Sequence, residues 1–156
     1  VKHPTLDAHE IAPNLWQGGA PPYGTAVAEG GFDVLVLCAR EIQPPSVYFP
    51  DVQVIHAPND DHPAFGHLTK NKLQTAISAA RRVASAVQEG KKVLVTCAAG
   101  LNRSGLVTSI ALHMLYGWPG SQCIQTVRAN RGSVNGMIPL SNDEFARALD
   151  NLTGQG

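Results

Sequence analysis

The chain has 156 residues, 44% of them apolar and 15% charged, a composition that packs one core and is too apolar for a disordered segment. Its 12 basic and 12 acidic side chains cancel, which argues against a surface built to attract nucleic acid or an anionic bilayer. No apolar run approaches the roughly 18 residues of a membrane span. The three cysteines, Cys38, Cys97 and Cys123, are scattered without metal-ligand or paired-disulfide spacing. The expectation is a reduced, cytoplasmic protein needing no metal or cofactor, folded as one domain over residues 1–156.

In chain order, residues 15–17 (Leu15-Trp16-Gln17) read as a short strand at a sheet edge. Residues 33–38, 52–56 and 91–96 are apolar, β-branched runs bounded by glycine or charge, the pattern of strands covered on both faces. Residues 69–89 place Leu73, Ile77, Ala80, Ala84 and Val87 at spacings of three and four, one helical stripe that stops at Gly90. Residues 103–116 are apolar nearly all round and predict a buried central helix ended by Gly117. Pro119 suits the first turn of a helix to about residue 130. Ser141 and Glu144 have capping-box spacing and open a last helix to about residue 152. Strands alternating with helices predict an α/β fold, a small and largely parallel central sheet flanked by helices.

The chemistry concentrates in Thr96-Cys97-Ala98-Ala99-Gly100-Leu101-Asn102-Arg103-Ser104. A cysteine ends a strand, a short loop follows, and a helix opens at an arginine. Such a loop aims backbone N–H groups and a helix N-terminus at one point, which suits a phosphate. The same field and the arginine stabilise a thiolate, the nucleophilic form of cysteine. Arg103 offers a planar fork for two phosphate oxygens. Ser104 places a hydroxyl where it could bond the sulfur.

Cysteine, five residues, then Arg-Ser after an apolar strand resembles the protein tyrosine phosphatase superfamily, and Ala99-Gly100 with Arg103-Ser104 resembles its dual-specificity branch. Ile11-Ala12-Pro13-Asn14-Leu15-Trp16 looks like the first strand of such domains. Ala57-Pro58-Asn59-Asp60-Asp61 resembles the segment that carries their general acid. Arg131 and Ser141-Asn142-Asp143-Glu144-Phe145 resemble a late element of the family. The resemblance implies the cysteine-phosphatase fold and hydrolysis of a phosphomonoester through a cysteinyl-phosphate. Cys97 would be the nucleophile. Ala98, Ala99, Gly100, Leu101, Asn102 and Arg103 would bind the phosphate, and Ser104 would assist. Family spacing favours Asp61 as general acid, with Asp60 the alternative and His62 beside it, on a loop of residues 59–67 that would cover the pocket. The implied partner is a phosphorylated protein or peptide, carrying phosphotyrosine and, across the branch, phosphoserine or phosphothreonine. Thr96 departs from the histidine usual before the nucleophile, which implies weaker support of the thiolate.

Other readings stand beside these. Aspartates in a proline-rich loop are also ordinary turn residues. Cys38 and Cys123 read as core or helix-face residues, His56 and His113 as hydrogen-bonded packing residues, and Arg131 and Asn142 as pocket-rim contacts or, for Asn142, a plain helix cap. Gly100-Leu101-Asn102-Arg103 also resembles the loop of RNA 5′-triphosphatases of the cysteine-phosphatase type, although the zero net charge lacks an RNA footprint. Phosphoinositide hydrolysis is disfavoured by a loop without lysine, and arsenate reduction or sulfur transfer by the upstream acid segment. A non-catalytic phosphate-binding module would keep Arg103 and dispense with the nucleophile or acid.

Overall fold

The computed structural model describes residues 1–60 and 68–154. Its elements in chain order are β1 (Ala8–Ala12), β2 (Leu15–Gly18), α1 (Ala26–Glu29), β3 (Val34–Ala39), β4 (Gln53–Asn59), α2 (Lys70–Gln88), β5 (Val93–Thr96), α3 (Arg103–Tyr116), α4 (Gly120–Arg131) and α5 (Asp143–Thr153). The strands form one mixed sheet in the order β1-β2-β5-β3-β4. β1 is antiparallel to β2, and β2, β5, β3 and β4 run parallel. The segment 11–16 is thus the turn of a two-stranded ribbon rather than a single first strand. Asn14 takes φ +65° in that turn, a region open to a short polar side chain. β2 does not lie at an edge as its length suggested. It pairs on both sides and all four of its residues are buried.

Alternation along the strands divides the core in two. Val34, Val36 and Cys38 of β3 join Val93 and Val95 of β5 against the helical layer. Leu35 and Leu37 pack with Leu94, Trp16, Phe32, Phe49 and Val27 of α1 on the other face. On α2, the expected stripe residues Ile77, Ala80 and Ala84 are buried together with Ala76, Ala79, Val83 and Ala86. These small side chains let α2 lie close along α3. α3 is buried from Arg103 through Leu112, the central helix its composition predicts. α1 has four residues, too few for a periodic signal.

Two local expectations change. β4 is an edge strand whose burial alternates, and it runs past residue 56 through Pro58 to Asn59. An edge tolerates proline, which has no N–H to give a neighbour. The capping box at Ser141 does not form. Asn142 is the N-cap of α5 and accepts from the Glu144 and Phe145 amides at 3.0 and 3.3 Å. Glu144 instead accepts from the Leu68 amide at 2.6 Å, which ties the approach to α2 to α5. His113 is half-buried, the packing residue expected, with Nδ1 2.7 Å from the Trp118 carbonyl, whereas His56 is exposed on β4 and only its Nε2 is held, 2.9 Å from the Pro44 carbonyl. No described helix is long and apolar enough to cross a membrane.

The C-terminal ends of the four parallel strands open at one end of the sheet, with β5 between β2 and β3. Open α/β sheets place their ligand sites at such ends. α3 leaves this end directly after β5, so its packing fixes the loop between them. Replacing fully buried Ile110 of α3 by alanine is expected to cost about 2–5 kcal/mol. Denaturant titration measures it, and a loss below about 1 kcal/mol would show that α3 is not the packing centre.

Candidate active site

Cys97 directly follows β5 and is 5% exposed. Its Sγ lies 3.3 Å from the Ser104 hydroxyl, which can donate to a thiolate. Between Cys97 and Arg103, four successive carbonyls turn away from the loop's interior. Ala98 O accepts from the Ala20 amide at 3.2 Å, and Ala99 O from Arg131 Nη2 at 2.9 Å. Gly100 O accepts from Gln17 Nε2 at 2.9 Å and Arg131 Nε at 3.1 Å, and Leu101 O from the Leu140 amide at 3.3 Å. In a trans peptide, C=O and the following N–H point in opposite directions. Carbonyls held outward therefore turn the amides of Ala99, Gly100, Leu101 and Asn102 inward. The Asn102 side chain does not cap α3, so it does not itself compete for the helix's first-turn amides. The result is an anion cradle at a helix N-terminus.

Glycine is required at position 100. Its φ is +74°, and an added Cβ would lie 2.3 and 2.5 Å from the Gly18 carbonyl carbon and oxygen and 2.7 Å from Arg131 Nη2. Asn102 anchors the far side, where its Oδ1 accepts from the Asn142 amide at 3.1 Å and the Ser141 hydroxyl at 3.5 Å. Thr96 supports a different partner from the loop. Its hydroxyl donates to Val36 O at 2.8 Å and so braces the sheet. Arg131 is 1% exposed and lies behind the loop rather than at the pocket rim.

The Arg103 side chain is 8% exposed and fixed by Glu41: Nη1 donates to Oε1 at 2.5 Å and Nη2 to Oε2 at 2.9 Å, with Nη1 also 3.2 Å from Asn59 O. The hydrogen bond from Arg103 holds the Glu41 carboxyl below its usual range. Glu41 escaped the sequence reading, since only its place just beyond the C-terminal end of a parallel strand hinted at a role. Asp60 binds Arg40 Nη1 at 3.2 Å and Lys72 Nζ at 3.4 Å. Asp61 and His62 lie outside the described residues. Cys38 is the cross-strand neighbour of Cys97, one residue beyond the Leu37–Thr96 pair. Burial, and then Cys97 itself, push its thiol far up, while burial raises Cys123 to about 11. Both are core residues, as expected. Among the described residues no cluster of side chains could hold a metal ion.

A strand, an anion-cradling loop and a helix carrying a fixed arginine, placed mid-sheet, define a phosphate-handling α/β protein. The family model described as dual specificity phosphatase, catalytic domain, matches residues 19–151, and the chain belongs to that family. No curated protein sequence matches it. The solved structures it resembles include a mouse putative dual specificity phosphatase complexed with zinc tungstate, at TM-score 0.74 and 23% identity over 99% of this chain and 93% of that one. The human tyrosine phosphatase-like serine/threonine/tyrosine-interacting protein matches at TM-score 0.72 and 19% identity, over 94% and 95%. PTPMT1 in complex with PI(5)P matches at 0.70 and 15%, over 95% of each chain.

Two expectations follow from this geometry. Gly100→Ala should weaken tungstate binding by about tenfold or more, because the strain and collisions, of order 1–3 kcal/mol, fall on the cradle itself; calorimetric titration measures this. Glu41 has a folded pKa below its ordinary 4.5, so its stabilising effect is complete above that value and is lost as pH falls through the folded one. The Tm difference between wild type and Glu41→Gln should hold steady near neutrality and close below about pH 4.5.

Proposed function

We propose that the protein hydrolyses phosphomonoesters through a cysteinyl-phosphate at Cys97, with phosphotyrosine, phosphoserine or phosphothreonine of a protein or peptide as substrate. The observation that carries this reading is the convergence of inward amides beside the Cys97 sulfur, with the Ser104 hydroxyl at 3.3 Å. In the first step the thiolate attacks phosphorus, the P–O bond to the leaving group breaks, and a carboxylic acid gives that oxygen its proton. In the second, the resulting carboxylate takes a proton from water, which attacks phosphorus and releases the thiolate and inorganic phosphate. Arg103 and the loop amides bind the equatorial oxygens throughout.

Asp61 is the proposed acid. Family spacing points to it, and the Asp60 side chain is already engaged by Arg40 at 3.2 Å and Lys72 at 3.4 Å. Asn102, the residue that suggested RNA 5′-triphosphatase chemistry, has a local role in joining the loop to α5. A non-catalytic module has no need of both a hydroxyl beside the sulfur and an acid segment at the end of β4.

Cys97→Ser should lower aryl phosphate turnover by about a thousandfold or more, and quenched wild-type enzyme should carry phosphorus on Cys97. Asp61→Asn should slow alkyl phosphates by about 10²–10⁴-fold and activated aryl phosphates far less. That pattern in Asp60→Asn would move the acid by one residue. Full turnover by Cys97→Ser would refute the mechanism, and faster release of γ-phosphate from triphosphate-ended RNA than from aryl phosphates would reassign the substrate.

A further inference from the structure

Arg131, at the end of α4, has no exposed side-chain surface, and its guanidinium is used on both edges. One edge donates to the loop: Nε to Gly100 O at 3.1 Å and Nη2 to Ala99 O at 2.9 Å. The other meets Asp7, with Nη1 3.0 Å from Oδ1 and Nη2 3.3 Å from Oδ2. Nη1 also donates to His9 Nδ1 at 2.9 Å. A buried cation is costly unless paired, and among the described ion pairs Asp7 is the partner of Arg131. Partial burial tends to raise the Asp7 carboxyl, but the Arg131 hydrogen bond and charge bring it below its ordinary value. Burial, followed by the charge of Arg131, lowers His9 and favours the neutral acceptor.

The chain is shaped to admit Asp7. Its carbonyl accepts from the Gly19 amide at 3.1 Å. A Cβ on Gly18 would lie 2.1 Å from the Asp7 carbonyl oxygen, and one on Gly19 2.6 Å from Oδ2. The aspartate also precedes residue 19, where the family match begins.

We infer that Asp7 is a positioning residue for the phosphate loop: its carboxylate fixes Arg131, and Arg131 holds the Ala99 and Gly100 carbonyls outward so that the next two amides face the anion. This rests on the phosphatase reading for its effect on turnover, but not for its effect on anion binding.

Tungstate binding and aryl phosphate turnover of Asp7→Asn test it, each measured well below the variant's Tm. A charged hydrogen-bonded pair contributes about 1.5–3 kcal/mol, so tungstate affinity and kcat/KM should both fall by about tenfold or more. Asp7→Asn added to Arg131→Lys should cost little further affinity. A lower Tm with tungstate affinity and kcat/KM within about twofold of wild type would overturn the inference, as would losses that simply multiply in the double variant. If Asp7→Asn does not fold, Asp7→Glu keeps the charge but displaces it. A drop in tungstate affinity beyond about threefold then supports the brace, and an unchanged affinity overturns it. Wild type that binds tungstate yet turns over no phosphomonoester would sink the phosphatase reading alone, since the affinity comparison still tests Asp7.

Discussion

Peptide planes in a free loop orient themselves toward water, and nothing in the residues 98–101 alone aims their N–H groups at a common point. The orientation comes from outside the loop. An amide after β2, the Gln17 side chain, the Arg131 guanidinium and the Leu140 amide each take a carbonyl. These donors come from a strand, two loops and a helix end, so the cradle exists only when the sheet and helices are assembled. Anion affinity in such a site reflects the whole fold.

Two arginines divide the work beneath this loop. Arg103 opens α3 and is gripped by a half-exposed carboxylate, Glu41. Arg131 closes α4 and is gripped by Asp7 while it serves the carbonyls. In both, a guanidinium lies within the protein and its counter-charge lies toward solvent. That arrangement avoids the largest desolvation cost, because each carboxylate keeps part of its hydration. It also fixes two long side chains before a ligand arrives, which reduces the ordering needed on binding.

The contiguous part of the site was legible in the sequence, because strand, cysteine, glycine, arginine and serine must follow one another for the geometry to exist. α2 and α3 were equally legible from their apolar spacing and composition. Contacts made across the fold were not. Glu41 meets Arg103 across 62 residues, Gln17 meets Gly100 across 83, and Asp7 meets Arg131 across 124. Strand order decides these meetings, and short apolar strands do not announce their order. β2 read as an edge because it is brief, yet it sits inside the sheet. The capping spacing at Ser141 and Glu144 misled for a related reason: Glu144 found the Leu68 amide across the fold and left the helix start to Asn142.

Among the described residues, β4 borders the sheet with one row of backbone groups that no sixth strand covers. Gln53, His56 and Pro58 along it are exposed, and alternation from Gln53, whose amide bonds the Asp33 carbonyl, turns the backbone of His56 and Pro58 to the open side. Proline offers an approaching chain no N–H, and the polar side chains favour hydration over stacking. Strand-to-strand growth between molecules therefore meets a missing donor at Pro58, just where β4 reaches the candidate active site, so the flank best placed to polymerise is also the one blunted against it.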